Sequence, residues 1–399
     1  MKAPSPSLPP AAPLRVVHTE SSCGWGGQEL RILAEARGMI RRGHQVTLVA
    51  PAEARIVGEA SRYRVPVVAL PLGKKRLRGV GALREWLLAH PVDVVNTHSS
   101  TDSWLAALAW ASLKRPPPIV RTRHISAPVP NNVASRWLYR DASRFVVTTG
   151  ESLKDALVAR LALDPARVVS IPTGIDLNLF RPASARERVA ARRAIDAADG
   201  TVVVGIVATL RSWKGHRYLI EGFAAALADQ AAAGRGDALR LVIVGDGPQR
   251  AALETLVDAL GIRAAVRFCG NQSDVVPWLH AMDVFALPSY ANEGVPQAVL
   301  QAMACGVPVV TTDAGAIGEV AYEAPVEADG ETGATAVIVA REDADALKRA
   351  IVALAADAPR RGRLSTNALA LVRARHGIDA MLDRMEAVFR RAIGPAGRT

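Results

Sequence analysis

The chain has 399 residues, of which 50% are hydrophobic and 22% are charged, and its formal net charge at pH 7 is +11. These proportions are typical of a globular protein and exclude collagen-like, fibrous and wholly disordered chains. The length allows two domains of roughly 150 residues each, and no apolar run reaches the ~20 residues that a membrane-spanning helix needs.

The chain begins with a proline-rich segment, residues 1–13, which lacks the apolar core of a signal peptide. We expect this segment to be a disordered tail. Short apolar runs rich in β-branched residues then alternate with helical segments. The first seven runs are at 14–18, 45–49, 65–70, 92–97, 119–123, 144–148 and 168–171, and the next six are at 202–208, 241–245, 266–269, 284–286, 309–311 and 336–339.

The runs do not alternate polar and apolar residues, which is typical of strands buried on both faces of a parallel sheet. Helical segments fall between them, as at 30–42 and 249–260. The alternation predicts an α/β fold with two doubly wound, Rossmann-like domains that face each other across a cleft. A Pro/Gly break before residue 176 places the domains at 14–176 and 177–376. In such sheets ligands bind beyond the carboxyl ends of the strands, so we expect the functional residues there.

The excess of positive charge lies in the first half of the chain. Residues 1–180 contain 24 Lys and Arg against 13 Asp and Glu, whereas residues 181–399 contain 25 of each class. We therefore expect the first half to meet an anionic partner, which could be nucleic acid, an acidic membrane surface, or a phosphorylated or acidic acceptor. Solubility alone is the alternative explanation.

The cysteines Cys23, Cys269 and Cys305 are far apart, and no C-x-x-C pair occurs. This spacing argues against a disulfide scaffold and against a zinc site. It suits a reducing cytoplasm.

Two glycine-containing loops follow predicted strands. One contains Gly26 and Gly27 and the other contains Gly245 and Gly247. Glycines at a helix start let a phosphate or a sugar approach the free backbone N–H groups, although a plain tight turn explains either loop equally well. Neither loop completes G-x-G-x-x-G, so a dinucleotide-dependent oxidoreductase is disfavoured.

Arg211 and Lys214 stand just before Gly215, in the loop after the run at 202–208. Two cations three residues apart at a strand's carboxyl end can hold a diphosphate, because Arg offers a fork of donors and Lys a mobile point charge. The alternative is an ordinary solvated basic loop.

The most informative motif follows the run at 284–286. Its loop carries one carboxylate, Glu293, and a helix is expected to begin near Pro296. Glu293 and the N–H groups after Gly294 are expected to face the cleft, and Gln301 lies about two turns into the helix at 3.6 residues per turn.

Taken together, these residues resemble the retaining glycosyltransferases of family 4, which have the GT-B fold. The resemblance extends from Leu14 over essentially the whole chain. The matching stretches are Gly26-Gly27-Gln28-Glu29, Pro172-Thr-Gly174-Ile-Asp176 with Phe180-Arg-Pro182, Arg211-x-x-Lys214-Gly215, Val244–Pro248, and Glu293 through Val310. One position departs from the family pattern, because Gln301 replaces the second glutamate of the E-x7-E motif.

The resemblance implies that the second domain holds a nucleotide-diphosphate sugar as donor. Arg211 and Lys214 would neutralise the departing diphosphate, Glu293 would lie by the sugar hydroxyls, and Gln301 would bind the ribose without charge assistance. Transfer would need no metal and no further cofactor. The donor-binding residues expected on this basis are Gly26, Gly27, Gly245, Gly247, Asn271, Gly294, Val295, Pro296 and Gln301.

His124 ends the fifth predicted strand, where this family often has a histidine facing the anomeric carbon. A neutral imidazole there could contact the sugar or position the acceptor, so the expected catalytic residues are His124, Arg211, Lys214 and Glu293. His98 ends the preceding strand and is a weaker candidate for the acceptor side. An isolated histidine in an α/β protein is more often a packing residue.

The resemblance also implies that the first domain binds the acceptor and that a C-terminal helix, residues 377–395, returns to it. Basic clusters at 74–78 and at Arg136, Arg140 and Arg144 suit an anionic leaflet or a phosphorylated lipid. The last three residues share one face if that segment is helical. The expected reaction is retaining transfer to a lipid-linked or phosphorylated saccharide in envelope glycan synthesis, foremost the lipopolysaccharide core. The enzyme would act at the cytoplasmic face of the inner membrane as a peripheral protein.

Three alternatives remain open from the sequence. The same fold could transfer a sugar to a small soluble acceptor, or it could be a nucleotide-sugar epimerase of GT-B fold. A non-catalytic nucleic-acid binder would use the basic half but would leave Glu293 and the Arg211 and Lys214 pair unexplained. It would also be expected to interleave aromatic and basic residues, so no nucleic-acid partner is predicted.

Overall fold

The computed structural model describes residues 12–234, 238–291, 293–323 and 333–394. Residues 12 and 13 of the predicted tail are exposed and have no regular secondary structure, and the rest of that tail lies outside the described residues.

The first described sheet contains the strands β1 (Arg15–Thr19), β2 (Gln45–Ala50), β3 (Val67–Ala69), β4 (Val94–Thr97), β5 (Ile119–Arg123), β6 (Ser143–Thr148) and β7 (Val168–Ser170). Their order across the sheet is β3-β2-β1-β4-β5-β6-β7, and every neighbouring pair is parallel. The helices that accompany them are α1 (Gly27–Arg41), α2 (Arg55–Tyr63), α3 (Leu77–Ala89), α4 (Ser100–Ala111), α5 (Val133–Trp137) and α6 (Glu151–Leu161). A π-helical turn at Leu138–Ala142 continues α5.

The second described sheet contains β8 (Val202–Val207), β9 (Leu239–Val244), β10 (Val266–Gly270), β11 (Val284–Leu287), β12 (Val309–Thr311) and β13 (Ala336–Ile338). It is also parallel throughout, in the order β10-β9-β8-β11-β12-β13. The remaining helices are α7 (Ala185–Ala194), α8 (His216–Ala232), α9 (Arg250–Ala259), α10 (Val276–Ala281), α11 (Gln297–Ala304), α12 (Ala344–Ala356), α13 (Ala358–Arg375) and α14 (Ile378–Ile393).

The prediction of two doubly wound α/β domains is confirmed, and each predicted apolar run overlaps a strand. The reason is the one that the sequence suggested. Strands such as β4 and β11 are buried along their whole length, and β11 consists entirely of apolar residues. The run at 65–70 exceeds its strand by the most residues, since β3 comprises only Val67–Ala69. The strand begins after Pro66, a residue that has no N–H to donate to a strand ladder.

In both sheets the strand order reverses at one position, between β1 and β4 in the first and between β8 and β11 in the second. The connections leave the sheet in opposite directions there, so a crevice opens beyond the carboxyl ends of these strands. The loops after β1, β4, β8 and β11 therefore surround the ligand site that the fold provides.

The C-terminal helix α14 packs on the first sheet. Met385 and Phe389 on this helix are completely buried in the same apolar cluster as Ile32 and Leu33 of α1. The chain reaches α14 beside the point where it first left this domain. Ile175 N–H donates to His376 O at 2.7 Å, so the two connections between the domains run together.

Two apolar clusters cover the faces of the first sheet, and one large cluster surrounds the second sheet. Within the described ranges, none of the helices combines the length and the apolar character needed to cross a bilayer.

Candidate functional site

A cavity lies where the carboxyl edges of the two sheets meet, and we call it the cleft cavity. Both domains line it. The expected site residues among its lining residues are Gly26, Gly27, His124, Lys214, Gly245, Asn271, Glu293, Gly294, Val295, Pro296 and Gln301. Arg211 and Gly247 are not part of this lining.

Lys214 and Glu293 form an ion pair in the cleft cavity, with 2.6 Å between Lys214 Nζ and Glu293 Oε1. Glu293 is buried, and the Lys214 side chain is only 21% exposed. The turn that carries Lys214 requires a glycine at the next position. Gly215 has a φ of +74°, and a Cβ there would lie 2.0 Å from Pro288 O. The backbone thus holds Lys214 directly over the carboxyl end of β11.

Arg211 lies outside the cleft cavity, on the solvent side of the same turn. Its side chain is exposed, and its guanidinium carbon stands 5.6 Å from the centre of the Trp213 ring. The two predicted diphosphate ligands therefore differ in position, since Lys214 lines the cavity and Arg211 is exposed outside its lining.

The two glycines of the loop after β9 also differ in position, since only Gly245 lines the cleft cavity. Gly245 lines the cavity with a φ of +135°, and a Cβ there would lie 2.0 Å from Ala208 O. Gly247 instead packs against the backbone of Leu210, where an added Cβ would lie 2.7 Å from the Leu210 carbonyl oxygen. The lack of a side chain at Gly245 allows the cavity wall to pack against Ala208, and the lack of one at Gly247 allows the turn to pack against Leu210.

Gly294 is the point at which the two domains approach most tightly around the site. A Cβ on this residue would lie 2.2 Å from Thr149 Oγ1 and 2.8 Å from His124 O, both in the first domain. Val295 N–H donates to Thr149 O across the same gap at 3.4 Å. The loop that carries Glu293 is thus seated directly against the first domain.

A second contact between the domains lies beside it. The carboxylate of Glu319 accepts hydrogen bonds from the backbone N–H groups of Glu151 and Ser152, both at 2.9 Å. These groups are in the first turn of α6, where N–H groups lack partners within the helix. A carboxylate of the second domain therefore caps a helix of the first.

Gln301 is buried on α11, and its amide has no hydrogen-bond partner among the described residues. The neighbouring Gln297 also lines the cavity, and its buried Oε1 lacks a partner within the same described residues. Unpaired buried amides are costly, so both are available for the hydroxyls of a ligand. The sequence motif identified Gln301, but it gave no indication of Gln297.

The loop after β1 is organised by a buried carboxylate that sequence reasoning missed. Glu20 accepts from the backbone N–H groups of Ser21 and Ser22 at 2.7 and 2.6 Å, and also from Gln28 Nε2 and Ser99 Oγ. Burial, with the nearby Asp102 charge, raises the pKa of Glu20 to about 8. Its position directly after β1 was the available signal, because polar side chains at strand ends face the crevice.

The same loop leads into α1 with its N-terminal amides free. Gly26 is the N-cap and provides no side-chain hydrogen bond, and Gly27 begins the helix. The partial positive charge of this helix end is directed at the cleft cavity, where both glycines are exposed to a ligand.

His124 lies in the cleft wall, and it is not an isolated histidine. Its Nε2 lies 2.9 Å from His98 Nδ1, and His98 Nε2 lies 2.9 Å from His18 Nδ1. Burial lowers the pKa of His18 to about 3 and moves the pKa values of His98 and His124 well below the ordinary value. The three rings are therefore neutral at pH 7. His98, ranked second from the sequence, is the bridge between the other two.

A second cavity of about 530 Å³ adjoins the cleft cavity within the first domain, and we call it the cationic cavity. His124 lines both cavities. Lys75, Arg121 and Arg123 line the cationic cavity. Arg121 stacks over the Tyr139 ring at 4.9 Å. No described carboxylate lies within 4.0 Å of these three cationic groups, although the buried Asp102 is close enough to interact electrostatically with Arg121. The three cations of the cavity therefore have no ion pair among the described residues.

The outer surface near this cavity carries two exposed apolar side chains. Leu77 is 85% exposed and Val133 is 84% exposed. Leu77 lies within the basic cluster at 74–78, whose residues 74 to 78 are all exposed. The surface therefore combines apolar and basic side chains.

The second basic cluster does not have the expected single helical face. Arg136 lies on α5, Arg140 in the π-helical turn and Arg144 on β6. Arg140 Nη2 donates to Leu161 O and Ala162 O at 2.7 and 2.6 Å. Arg140 is thus bonded to the backbone at the end of α6. The three arginines lie on different elements, so they do not share one helical face.

One Asp-x-Asp sequence, Asp343 to Asp345, lies at the start of α12, where Asp343 accepts a hydrogen bond from Ala346 N–H as the N-cap. Within the part of the chain that the structure describes, no three His, Cys, Asp or Glu side chains come together in a metal-binding group.

Family comparisons agree with this geometry. The family described as "Glycosyltransferase Family 4" matches residues 25–179, and the one described as "Glycosyl transferases group 1" matches residues 201–357. A D-inositol 3-phosphate glycosyltransferase from Salinispora tropica is 31% identical over 88% of this chain and 78% of its own.

Among solved structures, Anabaena HepE in complex with UDP and glucose has a TM-score of 0.80 at 20% identity, over 94% of this chain and 98% of that one. WaaG, a glycosyltransferase involved in lipopolysaccharide biosynthesis, has a TM-score of 0.70 at 16% identity, over 94% and 99%. These two similarities show the fold. The two family matches and the sequence relative establish that the chain belongs to the family 4 glycosyltransferases, and the solved structures show that it has the GT-B fold.

Proposed function

We propose that the protein transfers a sugar, with retention, from a nucleotide-diphosphate sugar in the cleft cavity to a phosphorylated acceptor in the cationic cavity. The observation that carries this proposal is the adjacency of the two cavities at His124, with the Lys214 and Glu293 pair on one side and, on the other, three cations without an ion pair among the described residues.

The donor assignment follows from charge and hydrogen-bonding capacity. A diphosphate would bring negative charge to the N-terminus of α1 and to Lys214, and Arg211 is an exposed cation at the start of the turn that carries Lys214. The free amides of Gln301 and Gln297 suit ribose hydroxyls. The related fold of Anabaena HepE, described with UDP and glucose, supports a nucleotide sugar as ligand.

The chemistry needs stabilisation of a departing diphosphate. Lys214 and Arg211 supply positive charge at that position, so the proposed transfer requires no metal ion. Glu293 is the carboxylate in the cleft lining, paired with Lys214 rather than with a second carboxylate. A glycosidase-like pair of opposed carboxylates is therefore not part of the proposal. A same-face displacement, in which the acceptor attacks as the diphosphate leaves, fits this single carboxylate.

The acceptor assignment follows from the cationic cavity. Lys75, Arg121 and Arg123 would pair with a phosphate. Tyr139 and Trp104 hold two of these cations in place, since Arg121 stacks over the Tyr139 ring and Lys75 lies over the Trp104 ring. D-inositol 3-phosphate, which the relatives' name identifies as their substrate, is a hydroxylated ring with such a phosphate.

A lipid-linked acceptor is a second candidate, and the exposed apolar side chains favour it. Leu77 and Val133 could enter the interfacial region of an anionic leaflet while the basic cluster at 74–78 contacts its head groups. This would place the enzyme at the cytoplasmic face of a membrane as a peripheral protein, with a lipopolysaccharide-core-like saccharide as one case.

A transfer assay tests the function. Release of nucleoside diphosphate from a panel of nucleotide sugars should require a phosphorylated acceptor, and it should continue in the presence of EDTA. Release without acceptor would instead support the epimerase alternative.

NMR of the product should show the anomeric configuration of the donor, and an inverted product would contradict retention. Flotation with phosphatidylglycerol vesicles at low salt distinguishes a lipid-linked acceptor from a soluble one. A lipid-linked acceptor predicts that the protein binds the vesicles and that Leu77→Asp weakens this binding, whereas a soluble acceptor predicts no such binding.

A further inference from the structure

Three histidine rings form a continuous line from the cleft into the interior of the first domain. His124 and His98 follow the adjacent strands β5 and β4, and His18 lies in β1, the next strand across the sheet. Successive ring centres are 5.2 Å apart, close to the spacing of neighbouring strands. The sheet itself therefore fixes the contacts between the rings, and we call these three residues the histidine relay.

The inner end of the relay faces a carboxylate. Glu35 Oε1 on α1 lies 3.9 Å from His18 Nε2, and both side chains are completely buried. His18 Nε2 and Glu35 Oε2 each lack a hydrogen-bond partner among the described residues. Glu35 Oε1, the oxygen that faces His18, accepts a hydrogen bond from Asn96 Nδ2 at 3.3 Å, and Glu35 Oε2 lies 3.9 Å from Arg31 Nε. Of the two atoms that face each other, the His18 nitrogen is therefore the one without a hydrogen bond among the described residues, which is costly for a buried polar atom.

The outer end of the relay faces the ligand cavities. His124 Nε2 is engaged by His98, so Nδ1 is the nitrogen that remains for a ligand in the cleft and cationic cavities. The ring nitrogens of the histidine relay therefore connect a ligand in the cleft with the buried carboxylate of Glu35.

Neutral rings in such a chain have only two consistent arrangements, because each carries one N–H. In the first, every Nε2 carries the proton, each ring donates toward Glu35, and His124 Nδ1 presents a lone pair to the cleft. In the second, every Nδ1 carries the proton, and His124 Nδ1 presents an N–H to the cleft.

We propose that the histidine relay and Glu35 act as a remote general base, which moves the proton of the acceptor hydroxyl from the cleft to Glu35. This inference rests on the proposed function, since it concerns the hydroxyl that attacks the sugar. His124 is the catalytic residue in contact with the acceptor, and His98, His18 and Glu35 act through it.

The step balances without any further reactant. The acceptor O–H bond breaks, its proton goes to His124 Nδ1, and its electron pair forms the new bond to the anomeric carbon as the bond to the diphosphate breaks. His124 passes its Nε2 proton to His98 Nδ1, and His98 passes its Nε2 proton to His18 Nδ1. His18 passes its Nε2 proton to Glu35, for which the 3.9 Å gap must close by about 1 Å. The reverse transfers return the proton after the product leaves.

The charges around Glu35 support its part as the proton store. Burial raises its pKa to about 7, against the opposing effects of Arg31 and of the hydrogen bond from Asn96. Arg384 of α14 is the further charge acting on Arg31. Both protonation states of Glu35 are therefore accessible near neutral pH.

The cleft end of the relay has other charged neighbours, namely Arg121 and Arg123 of β5 and the buried carboxylates of Glu20 and Asp102. The two carboxylates accept from hydroxyl and backbone N–H groups and, at Glu20, from the Gln28 amide, whereas no such bond joins them to a relay ring nitrogen in the described structure. Among the described carboxylates, Glu35 alone lies within 4.0 Å of a relay nitrogen.

The first test is the pH dependence of transfer. For the wild-type protein kcat should rise with pH through the titration of Glu35 and level off above it. Glu35→Gln should lower kcat by about 10²-fold at pH 8 and remove this rise, since the relay then has no acceptor for the proton. His98→Gln should do the same, and the exposed His90→Gln, which lies outside the relay, should match the wild type. A Glu35→Gln or His98→Gln variant whose kcat is lower but still rises with pH as in the wild type would overturn the proposal.

The second test needs no substrate. Ring ¹⁵N shifts distinguish a protonated from an unprotonated imidazole nitrogen, so NMR of the free wild-type protein should show the His124 proton moving from Nδ1 to Nε2 as the pH rises through about 7. Glu35→Gln should abolish this change. A fixed His124 tautomer in the wild type would overturn the relay even if transfer is observed. A tautomer change without any detectable transfer would support the relay and refute the proposed function.

Discussion

Lys214 and Glu293 stand 2.6 Å apart at the carboxyl ends of β8 and β11, on either side of the position where the second sheet reverses its order. The pair holds the lysine in place before any ligand arrives, at the cost of neutralising it. A diphosphate must therefore share Lys214 with Glu293, and the carboxylate keeps the site free of unpaired positive charge when it is empty.

Replacing Lys214 with Ala should lower kcat/KM for transfer by about 10²- to 10³-fold, because it removes a buried charge at the leaving group. Steady-state kinetics with a saturating acceptor would measure this loss. Arg211→Ala should cost less, about tenfold at charge-assisted hydrogen-bond strength, because Arg211 is exposed outside the lining of the cleft cavity.

Arg217→Ala is a matched control for both, since this exposed arginine on α8 pairs with Glu221 and points away from the cleft cavity. Its kinetics should equal the wild type. Equal losses for the Lys214 and Arg217 variants would show that general charge, and not position, governs the rate.

Gln301→Glu should keep transfer within about tenfold of the wild type, since either side chain can accept from ribose hydroxyls. Gln301→Leu should raise the Kd for the nucleoside diphosphate by roughly tenfold, the value of one to two hydrogen bonds. Calorimetric titration of both variants measures the difference. A larger loss for the Glu variant than for the Leu variant would assign Gln301 a role other than ribose binding.

Gly294→Ala should reduce transfer by more than about 10²-fold while stability changes little, because a Cβ 2.2 Å from Thr149 Oγ1 separates the two domains at the site. Gly58→Ala, a helical position with no atom within 4 Å of the added Cβ, is the control and should be neutral or slightly stabilising. If both variants retain full activity, the contact at Gly294 is not required for the active arrangement.

His216 should make the protein less stable in mild acid. Burial, with the nearby Lys214 charge, lowers its folded-state pKa to about 3, whereas the unfolded value is near 6.5. The unfolded state therefore binds the proton first, and this group's contribution is lost as the pH falls through 6.5 toward the folded value. Between pH 7.5 and 5.5 the loss from one such histidine is about 1.4 kcal/mol.

His216→Leu should reduce by that amount the difference between the urea-unfolding free energies at the two pH values. Both ring nitrogens of His216 lack partners among the described residues, so the apolar replacement leaves no new unpaired group. His90→Gln should leave the difference unchanged. A His216 variant with the wild-type pH dependence would place the acid sensitivity elsewhere.

The fold could be predicted from the sequence because it depends on local patterns. Buried parallel strands such as β11 are apolar on both faces, and the helices between the strands begin and end at positions that the sequence indicates. The helix at Pro296 is an example, since α11 has this residue as its N-cap.

The site could be predicted only where a motif stays close in sequence. Lys214, Glu293 and Gln301 were found in this way. The histidine relay could not be, because His18, His98 and His124 come together through the order of three strands, and Glu35 reaches them from a helix. The sequence also could not show that Lys214 lines the cleft cavity whereas Arg211 does not, because this difference depends on the turn at Gly215.

In the proposed function, two adjoining cavities bring a nucleotide sugar and a phosphorylated acceptor together. The most direct test compares kcat/KM for a phosphorylated acceptor, with D-inositol 3-phosphate and a lipid-linked phosphosaccharide tried in turn, against the same acceptor without its phosphate. The wild type should prefer the phosphorylated form by about 10²-fold or more, the value of a charged hydrogen-bonded contact or two, and Lys75→Ala should reduce this preference. Equal rates with and without the phosphate, or a preference that Lys75→Ala leaves intact, would contradict the account.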